Sequence, residues 1–155
     1  MDVVIESLPA IRVAAVRQTG AYPRSAPRAW SQLSLWIAKN NLLSQHTIFM
    51  GLRHDSSAIP QQKQRYDAAV SIPPEIDPQG IVYERYVEGG EFAMYTHHGS
   101  YASVCDAWTA LYWEWLPTSG RRPADAPNVE IYLSDTTFSA DKEIVTRLLL
   151  PLQPI

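Results

Sequence analysis

The fold is decided by a segment that occurs twice, AAVRQTGAYPRSAPRAW at residues 14–30 and AMYTHHGSYASVCDAW at residues 93–108. Both copies run from an apolar stretch into Gly-x-Tyr and end at Ala-Trp, which pairs Gly20 with Gly99. The other matched pairs are Tyr22 with Tyr101 and Trp30 with Trp108. A repeat of this kind indicates that one supersecondary unit has been duplicated.

The repeat extends along the whole chain. FMGLRHD, which ends at Asp55, aligns with VEIYLSD, which ends at Asp135, at nearly the same separation as the two glycines. We therefore predict a single domain over residues 1–155, with duplicated halves at about 1–75 and 80–155. Similar halves usually pack about a pseudo-twofold axis, so we expect a ligand cleft between them.

Each half has the pattern strand, strand, helix, strand, strand. Alternating apolar residues predict the strands, and apolar residues at helical spacing predict one helix in each half. Pro27 suits the first turn of the first helix, Asn40-Asn41 suits its end, and Gly89-Gly90 suits a hairpin turn. The predicted strands are Val3–Glu6, Ile11–Thr19, Thr47–His54, Tyr66–Ile72, Ile81–Val87, Phe92–His97, Asn128–Leu133 and Ile144–Leu150. This order predicts an α+β fold, an antiparallel sheet with both helices on one side.

Composition limits the classes of function. The chain has 155 residues, 46% of them hydrophobic, a net charge of −3 and a single cysteine, Cys105. Its acidic balance and the lack of a dense Lys/Arg run disfavour a nucleic-acid partner. No apolar run has the length of a membrane span, and MDVVIESLPAIRVA does not read as a signal peptide, so a soluble cytoplasmic protein is expected.

The strand Asn128–Leu133 carries a carboxylate in its middle, Glu130. If Val129 and Ile131 pack toward the helices, Glu130 and Tyr132 face the other side of the sheet. The alignment of the halves makes Met50 the counterpart of Glu130. A solvated sheet face is the usual place for such an acid, whereas a ligand pocket would give it a role.

Aromatic residues favour the pocket. The chain has five Trp and eight Tyr, and a concave aromatic surface with one acid suits a flat or lipophilic cation. The candidate ligand-binding residues are Glu130, Tyr132, Met50, Tyr95, Trp113 and Tyr83, with Glu130 also a candidate catalytic residue.

Several motifs in order resemble the GyrI-like small-molecule-binding family: TGAYP, QRYDAAVSIP, HHGSYASV, NVEIYLSD and the closing LLLPLQP. This family also supplies effector-binding domains to AraC-type and multidrug-responsive regulators. The resemblance implies two pseudo-symmetric halves and a ligand groove, in which Glu130 would anchor cationic ligands. Regulators of this type carry a DNA-reading helix-turn-helix before the domain, for which the strands beginning near Met1 leave no room, so a standalone binder is expected.

Three functions follow from these features. The first is sequestration or sensing of a lipophilic, cationic small molecule, such as a drug or toxin. The second, implied by the resemblance, is hydrolysis of cyclopropane-bearing alkylators, with Glu130 and a tyrosine adding water to a strained ring. The third is inhibition of DNA gyrase by protein contact.

Weaker signals have ordinary explanations. His97-His98 are neighbours on a strand and point to opposite faces, so no metal site is predicted, and no cofactor is expected. Cys105 is predicted to be a buried small hydrophobe beside Trp108 and Val104. The RYD run at residues 65–67 is interpreted as a structural ion pair.

Overall fold

The protein is described by a computed structural model that covers residues 1–133 and 144–155. The strands are β1 (Val3–Leu8), β2 (Ile11–Thr19), β3 (Phe49–Arg53), β4 (Arg65–Ser71), β5 (Tyr83–Val87), β6 (Gly90–His98), β7 (Asn128–Tyr132) and β8 (Val145–Pro151). The helices are α1 (Tyr22–Lys39), α2 (Val104–Ala110) and α3 (Leu116–Ser119), with a π-helical turn at Leu111–Trp115. The α+β class and the predicted order of elements are confirmed, whereas Asp135 lies outside the described residues. No helix within the described residues is long and apolar enough to cross a membrane.

Helix α1 begins earlier than predicted. It starts at Tyr22 with Pro23 in its first turn, and Pro27 lies inside the helix. Proline suits the first turn because its missing N–H would have no partner within the helix there. The predicted end at Asn40-Asn41 is confirmed, since Asn41 adopts a positive φ of 57°.

The chain forms two compact units. The N-terminal unit contains Ala10–Glu88, and the C-terminal unit contains Met1–Pro9 and Gly89–Ile155. Within the N-terminal unit the strand order is β3-β4-β2-β5, and within the C-terminal unit it is β7-β8-β6-β1, with antiparallel pairing inside each.

Each unit packs a helix against one face of its own strands. In the N-terminal unit, α1 covers a buried cluster on β2 and β4 that includes Ala14, Val16, Ala68 and Val70. In the C-terminal unit, the cluster is formed by α2 with β6 and β8 and includes Ala93, Trp108, Leu148 and Leu150.

The first strand of each predicted half lies in the other half's unit. Strand β1 pairs with β6, and β5 pairs with β2. The remaining neighbours of β2 and β6 are β4 and β8, so the hairpin predicted at Gly89-Gly90 is wrong. A short turn-like connection shows where the chain changes direction, but the partner of each strand depends on residues far along the chain. The compact units therefore do not coincide with the predicted halves at 1–75 and 80–155.

Matched positions in the two units support the internal duplication. Gly20 and Gly99 both have positive φ, 134° and 144°, a conformation that favours glycine. The amide of Gly20 donates to the carbonyl oxygen of Gln64 at 2.8 Å, and that of Gly99 donates to Ile144 at 2.9 Å.

The strand registers identify the counterpart of Glu130. Val16 and Tyr95, each four residues before its glycine, lie opposite Ala68 and Leu148 respectively. Ala68 lies opposite Gly51, and Leu148 lies opposite Glu130. The counterpart of Glu130 is therefore Gly51, and by the same register that of Tyr132 is Arg53.

The predicted alignment, which matched Glu130 with Met50, is thus one residue out. Met50 lies opposite Ala69, on the face of the strands away from α1, and its side chain is fully buried. Because the side-chain period of a strand is two, a shift of one residue exchanges the two faces.

Candidate functional site

Strand β7 presents polar side chains to the helix of its unit. Asn128, Glu130 and Tyr132 alternate along one face. The arrangement in which Val129 and Ile131 pack toward the helices is wrong, because the Trp108 indole of α2 donates to Glu130. Alternation separates the residues of a strand into two faces but does not show which of them is turned toward the helix. Burial does not distinguish the faces of β7 either, since Val129 and Glu130 are both buried.

The Glu130 carboxylate is buried, with 3% of the residue exposed. Trp108 Nε1–H donates to Oε2 at 2.8 Å, and the Tyr132 hydroxyl donates to Oε1 at 2.8 Å. Both of these donors are neutral groups, and together they fix the orientation of the carboxylate.

Aromatic rings line the helix side of β7. The Tyr101 and Tyr132 rings meet edge to face, with centroids 5.6 Å apart. One helical turn after Trp108 lies Tyr112, whose ring centroid is 6.4 Å from that of the indole. The Tyr112 hydroxyl donates to Asn128 Oδ1 at 3.1 Å, and burial raises the pKa of this tyrosine. An aromatic side chain from residues 101–112 therefore contacts each of the three polar residues on this face of β7.

The row of residues next to Glu130 crosses β7, β8 and β6. Thr146 lies opposite Tyr132 on one side and His97 on the other. Thr146 is fully buried, and within the described residues its Oγ1 atom has no hydrogen-bond partner.

His97 reaches the loop before α2. Its Nε2 atom lies 2.7 Å from Ser103 Oγ, and Ser103 Oγ donates to the carbonyl oxygen of Ser100 at 2.7 Å. Because the hydroxyl proton of Ser103 is donated to the Ser100 carbonyl oxygen, His97 Nε2–H is the donor to Ser103 Oγ. This arrangement does not activate Ser103 as a nucleophile.

The N-terminal unit has a different set of residues at the matching positions. Trp30 Nε1–H donates to the Tyr66 hydroxyl at 2.9 Å. Gly51 has no side chain to offer at the place of Glu130, and the Arg53 guanidinium lies 4.8 Å from the centroid of the Tyr22 ring. One unit therefore holds an arginine cation on a tyrosine, and the other holds a buried acid.

Comparison with known proteins places the chain in a family. The model of the GyrI-like small molecule binding domain matches residues 1–153. The chain belongs to this GyrI-like family. It is a small-molecule-binding domain.

Individual relatives agree with this assignment. A protein named DNA gyrase inhibitor from Erwinia billingiae (strain Eb661) is 26% identical over 148 residues, which cover 93% of this chain and 94% of the relative. The crystal structure of the EcmrR C-terminal domain matches with a TM-score of 0.80 and 14% identity, over 99% of this chain and 98% of that one. The structure of SAV2435 bound to tetraphenylphosphonium matches with a TM-score of 0.65 and 13% identity, over 99% and 94% of the two chains.

Three predicted site residues of this GyrI-like domain lie on one face. Glu130 and Tyr95 both lie opposite Leu148, so they belong to one row across β7, β8 and β6, and Tyr132 lies in the next row. Trp113, in contrast, is 75% exposed in the π-helical turn. Met50 and Tyr83 belong to the N-terminal unit.

Tyr83 takes part in a polar cluster that the sequence did not reveal. Its hydroxyl donates to Asp67 Oδ2, and Asp67 also accepts from Arg17 Nε at 2.8 Å and from His54 Nε2 at 2.8 Å. Asp67 is fully buried on β4. An ionised carboxylate only accepts, so His54 carries its proton on Nε2.

The cluster perturbs two pKa values. Burial acts to raise the pKa of Asp67, but hydrogen bonds from His54, Arg17 and Tyr83 outweigh it and hold the pKa at about 2. Burial, together with the hydrogen bond to Asp67, raises the pKa of Tyr83 to about 12. An aspartate inside the apolar run YDAAV was the one signal in the sequence for this cluster.

Other sequence interpretations have mixed outcomes. The RYD run at residues 65–67 does form ion pairs, but with partners outside the run: Arg65 pairs with Asp55 at 2.8 Å, and Asp67 pairs with Arg17. Cys105 is exposed, so its predicted burial is wrong. It directly follows the buried Val104, and one residue turns a helix by about 100°, which carries it off the buried stripe. Residues 1–133 and 144–155 contain no group of three or more His, Cys, Asp or Glu that could hold a metal ion.

Proposed function

We propose that this small-molecule-binding domain binds lipophilic cations at Glu130. The observation that carries the proposal is a buried carboxylate oriented by two neutral donors, Trp108 and Tyr132, beside aromatic rings. A carboxylate buried among aromatic rings attracts a cation more strongly than an exposed one does, because water screens its charge less. The faces of aromatic rings attract the same cation, while its hydrocarbon groups leave water.

The matching positions of the N-terminal unit support this proposal. Arg53, the counterpart of Tyr132, places a guanidinium cation on Tyr22, which matches Tyr101. The same local framework thus holds a cation against a tyrosine when the chain supplies one. In addition, SAV2435, which is similar in fold, is bound to tetraphenylphosphonium, a lipophilic cation.

Isothermal titration with tetraphenylphosphonium tests the proposal. Glu130→Gln keeps the size of the side chain and removes its charge, so affinity is expected to fall about tenfold to a hundredfold. The matched control is Glu114→Gln, which removes the same charge from an exposed residue of the same unit and is expected to leave affinity unchanged. Equal affinities for wild type and Glu130→Gln would refute the role of Glu130.

A hydrolase function is a second candidate, supported by the direct hydrogen bond between Tyr132 and Glu130. In such a reaction Glu130 takes a proton from water as the water oxygen bonds to a ring carbon. The strained carbon–carbon bond breaks, and the departing carbon takes up the proton that Glu130 received from water. Mass spectrometry after incubation with a cyclopropane-bearing alkylator tests this, with Glu130→Gln and Tyr132→Phe as controls. Unchanged substrate would remove this candidate.

Inhibition of DNA gyrase is the third candidate, and it rests on the names of relatives such as the Erwinia billingiae protein. A pull-down with purified gyrase subunits tests it, and the absence of retained gyrase would count against it.

A further inference from the structure

The Thr146 hydroxyl is a buried polar group that the function proposed so far does not use. Thr146 is fully buried, and its Oγ1 atom has no hydrogen-bond partner within the described residues. It lies directly opposite Tyr132, whose hydroxyl bonds to Glu130. Buried polar groups are nearly always hydrogen-bonded, and an unsatisfied one is unfavourable for the folded state.

The matching positions of the two units differ in the partner of the indole N–H. In the N-terminal unit, Tyr66 lies opposite Arg53 and accepts the indole N–H of Trp30. In the C-terminal unit, Thr146 has the place of Tyr66, but the indole N–H of Trp108 is directed to Glu130 instead. In the C-terminal unit the indole N–H therefore bonds to the acid of β7, and the Thr146 hydroxyl has no hydrogen-bond partner within the described residues.

We propose that Thr146 is a specificity residue of the Glu130 site and selects cations that carry N–H groups on the charged centre. This inference rests on the proposed function. The ligand class is the protonated amines, amidines and guanidines. Bound cations of this class donate one N–H to Glu130 and a second N–H to Thr146 Oγ1.

The position of Tyr132 indicates how the ligand reaches Thr146. Tyr132 is partly buried, whereas Thr146 opposite it is fully buried. A ligand gains access by displacing the Tyr132 hydroxyl from Oε1 of Glu130. A charged N–H donor then replaces a neutral O–H donor at this oxygen, and charge-assisted hydrogen bonds are the stronger kind.

Fully substituted onium ions lack this advantage. A quaternary ammonium or phosphonium ion has the same charge but no N–H donor, so it leaves Thr146 Oγ1 unsatisfied when it binds beside Glu130. The internal cation of the N-terminal unit, Arg53 on Tyr22, is a guanidinium and belongs to the donor class.

Two ligands with the same hydrocarbon group and charge isolate the effect: naphthylmethylammonium and naphthylmethyl-trimethylammonium, titrated at pH 7. Wild type is expected to bind the ammonium about fivefold to tenfold more tightly, the factor for roughly one hydrogen bond. Thr146→Val is nearly isosteric and removes the hydroxyl, so this preference is expected to disappear while affinity for the trimethyl compound is kept. Thr146→Ser retains the hydroxyl and is expected to retain the preference.

The variants also separate this inference from the proposed function. Glu130→Gln is expected to weaken binding of both compounds, whereas Thr146→Val affects the ammonium alone. Equal affinity of wild type for both compounds, or a preference that persists in Thr146→Val, overturns the role of Thr146 and leaves the role of Glu130 standing. Failure of both compounds to bind overturns both. Thermal unfolding checks that Thr146→Val is folded, and a melting temperature at or above that of wild type is expected, since the unsatisfied hydroxyl is gone.

Discussion

Replacement of Asp67 by Asn should destabilise the protein far more than replacement of Asp55 by Asn. Both aspartates accept a 2.8 Å hydrogen bond from an arginine, but Asp67 is fully buried and the Asp55 pair lies nearer the surface, where Arg65 is 45% exposed. Loss of one partner from a buried ion pair typically costs about 3–5 kcal/mol. Arg17 is 35% exposed and regains water, so we expect a loss of about 3 kcal/mol for Asp67→Asn. An exposed pair contributes only about 0.2–1 kcal/mol.

The same carboxylate predicts a dependence of stability on pH. The pKa of Asp67 is about 2 in the folded protein against an ordinary value of 3.8. Because folding lowers this pKa, ionised Asp67 stabilises the folded protein fully above about pH 4. This stabilisation is lost as pH falls through 2. The difference corresponds to about 2 kcal/mol.

Urea unfolding followed by tryptophan fluorescence measures both effects. Wild type, Asp67→Asn and Asp55→Asn are compared at pH 7, and wild type and Asp67→Asn again between pH 4 and 2. Other carboxylates titrate in all three proteins, so the difference between wild type and Asp67→Asn isolates the contribution of Asp67. A loss below 1 kcal/mol at pH 7, or parallel pH curves for the two proteins, would refute the reasoning.

Two further predictions concern aromatic residues. Trp108→Ala should lower the free energy of unfolding by roughly 3–5 kcal/mol, since this side chain is buried and bonded to Glu130, whereas Trp113→Ala at an exposed position should change it by less than about 0.5 kcal/mol. Similar urea midpoints for the two variants would show that the helix faces are wrongly assigned. The folded state raises the pKa of Tyr83 from 10.0 to about 12. The contribution of Tyr83 to the free energy of unfolding is therefore complete below pH 10 and is lost as pH rises toward 12. Unfolding curves of wild type and Tyr83→Phe should converge over that interval, and curves that stay parallel would contradict the assignment.

Local structure and the repeat could be predicted from the sequence because both depend on residues close together along the chain. Alternation predicts strands, and apolar spacing predicts the helices. The Gly-x-Tyr motif paired Gly20 with Gly99, and both glycines adopt the positive φ that restricts other residues. The sequence also singled out Glu130 as an acid in the middle of an apolar strand, although a solvated sheet face is the usual place for such an acid.

Tertiary structure decided the features that depend on pairing between distant residues. The exchange of β1 and β5 between units, the match of Glu130 with Gly51, and the burial of Asp67 all follow from strand registers. A register error of one residue exchanges the faces of a strand, and the side-chain period alone carries no information about which face a helix covers. For that reason the sequence singled out Glu130 as a candidate site residue, whereas only the folded chain showed that Trp108 and Tyr132 donate to it. The folded chain also showed that Thr146 lies opposite Tyr132 and that, within the described residues, its hydroxyl has no hydrogen-bond partner.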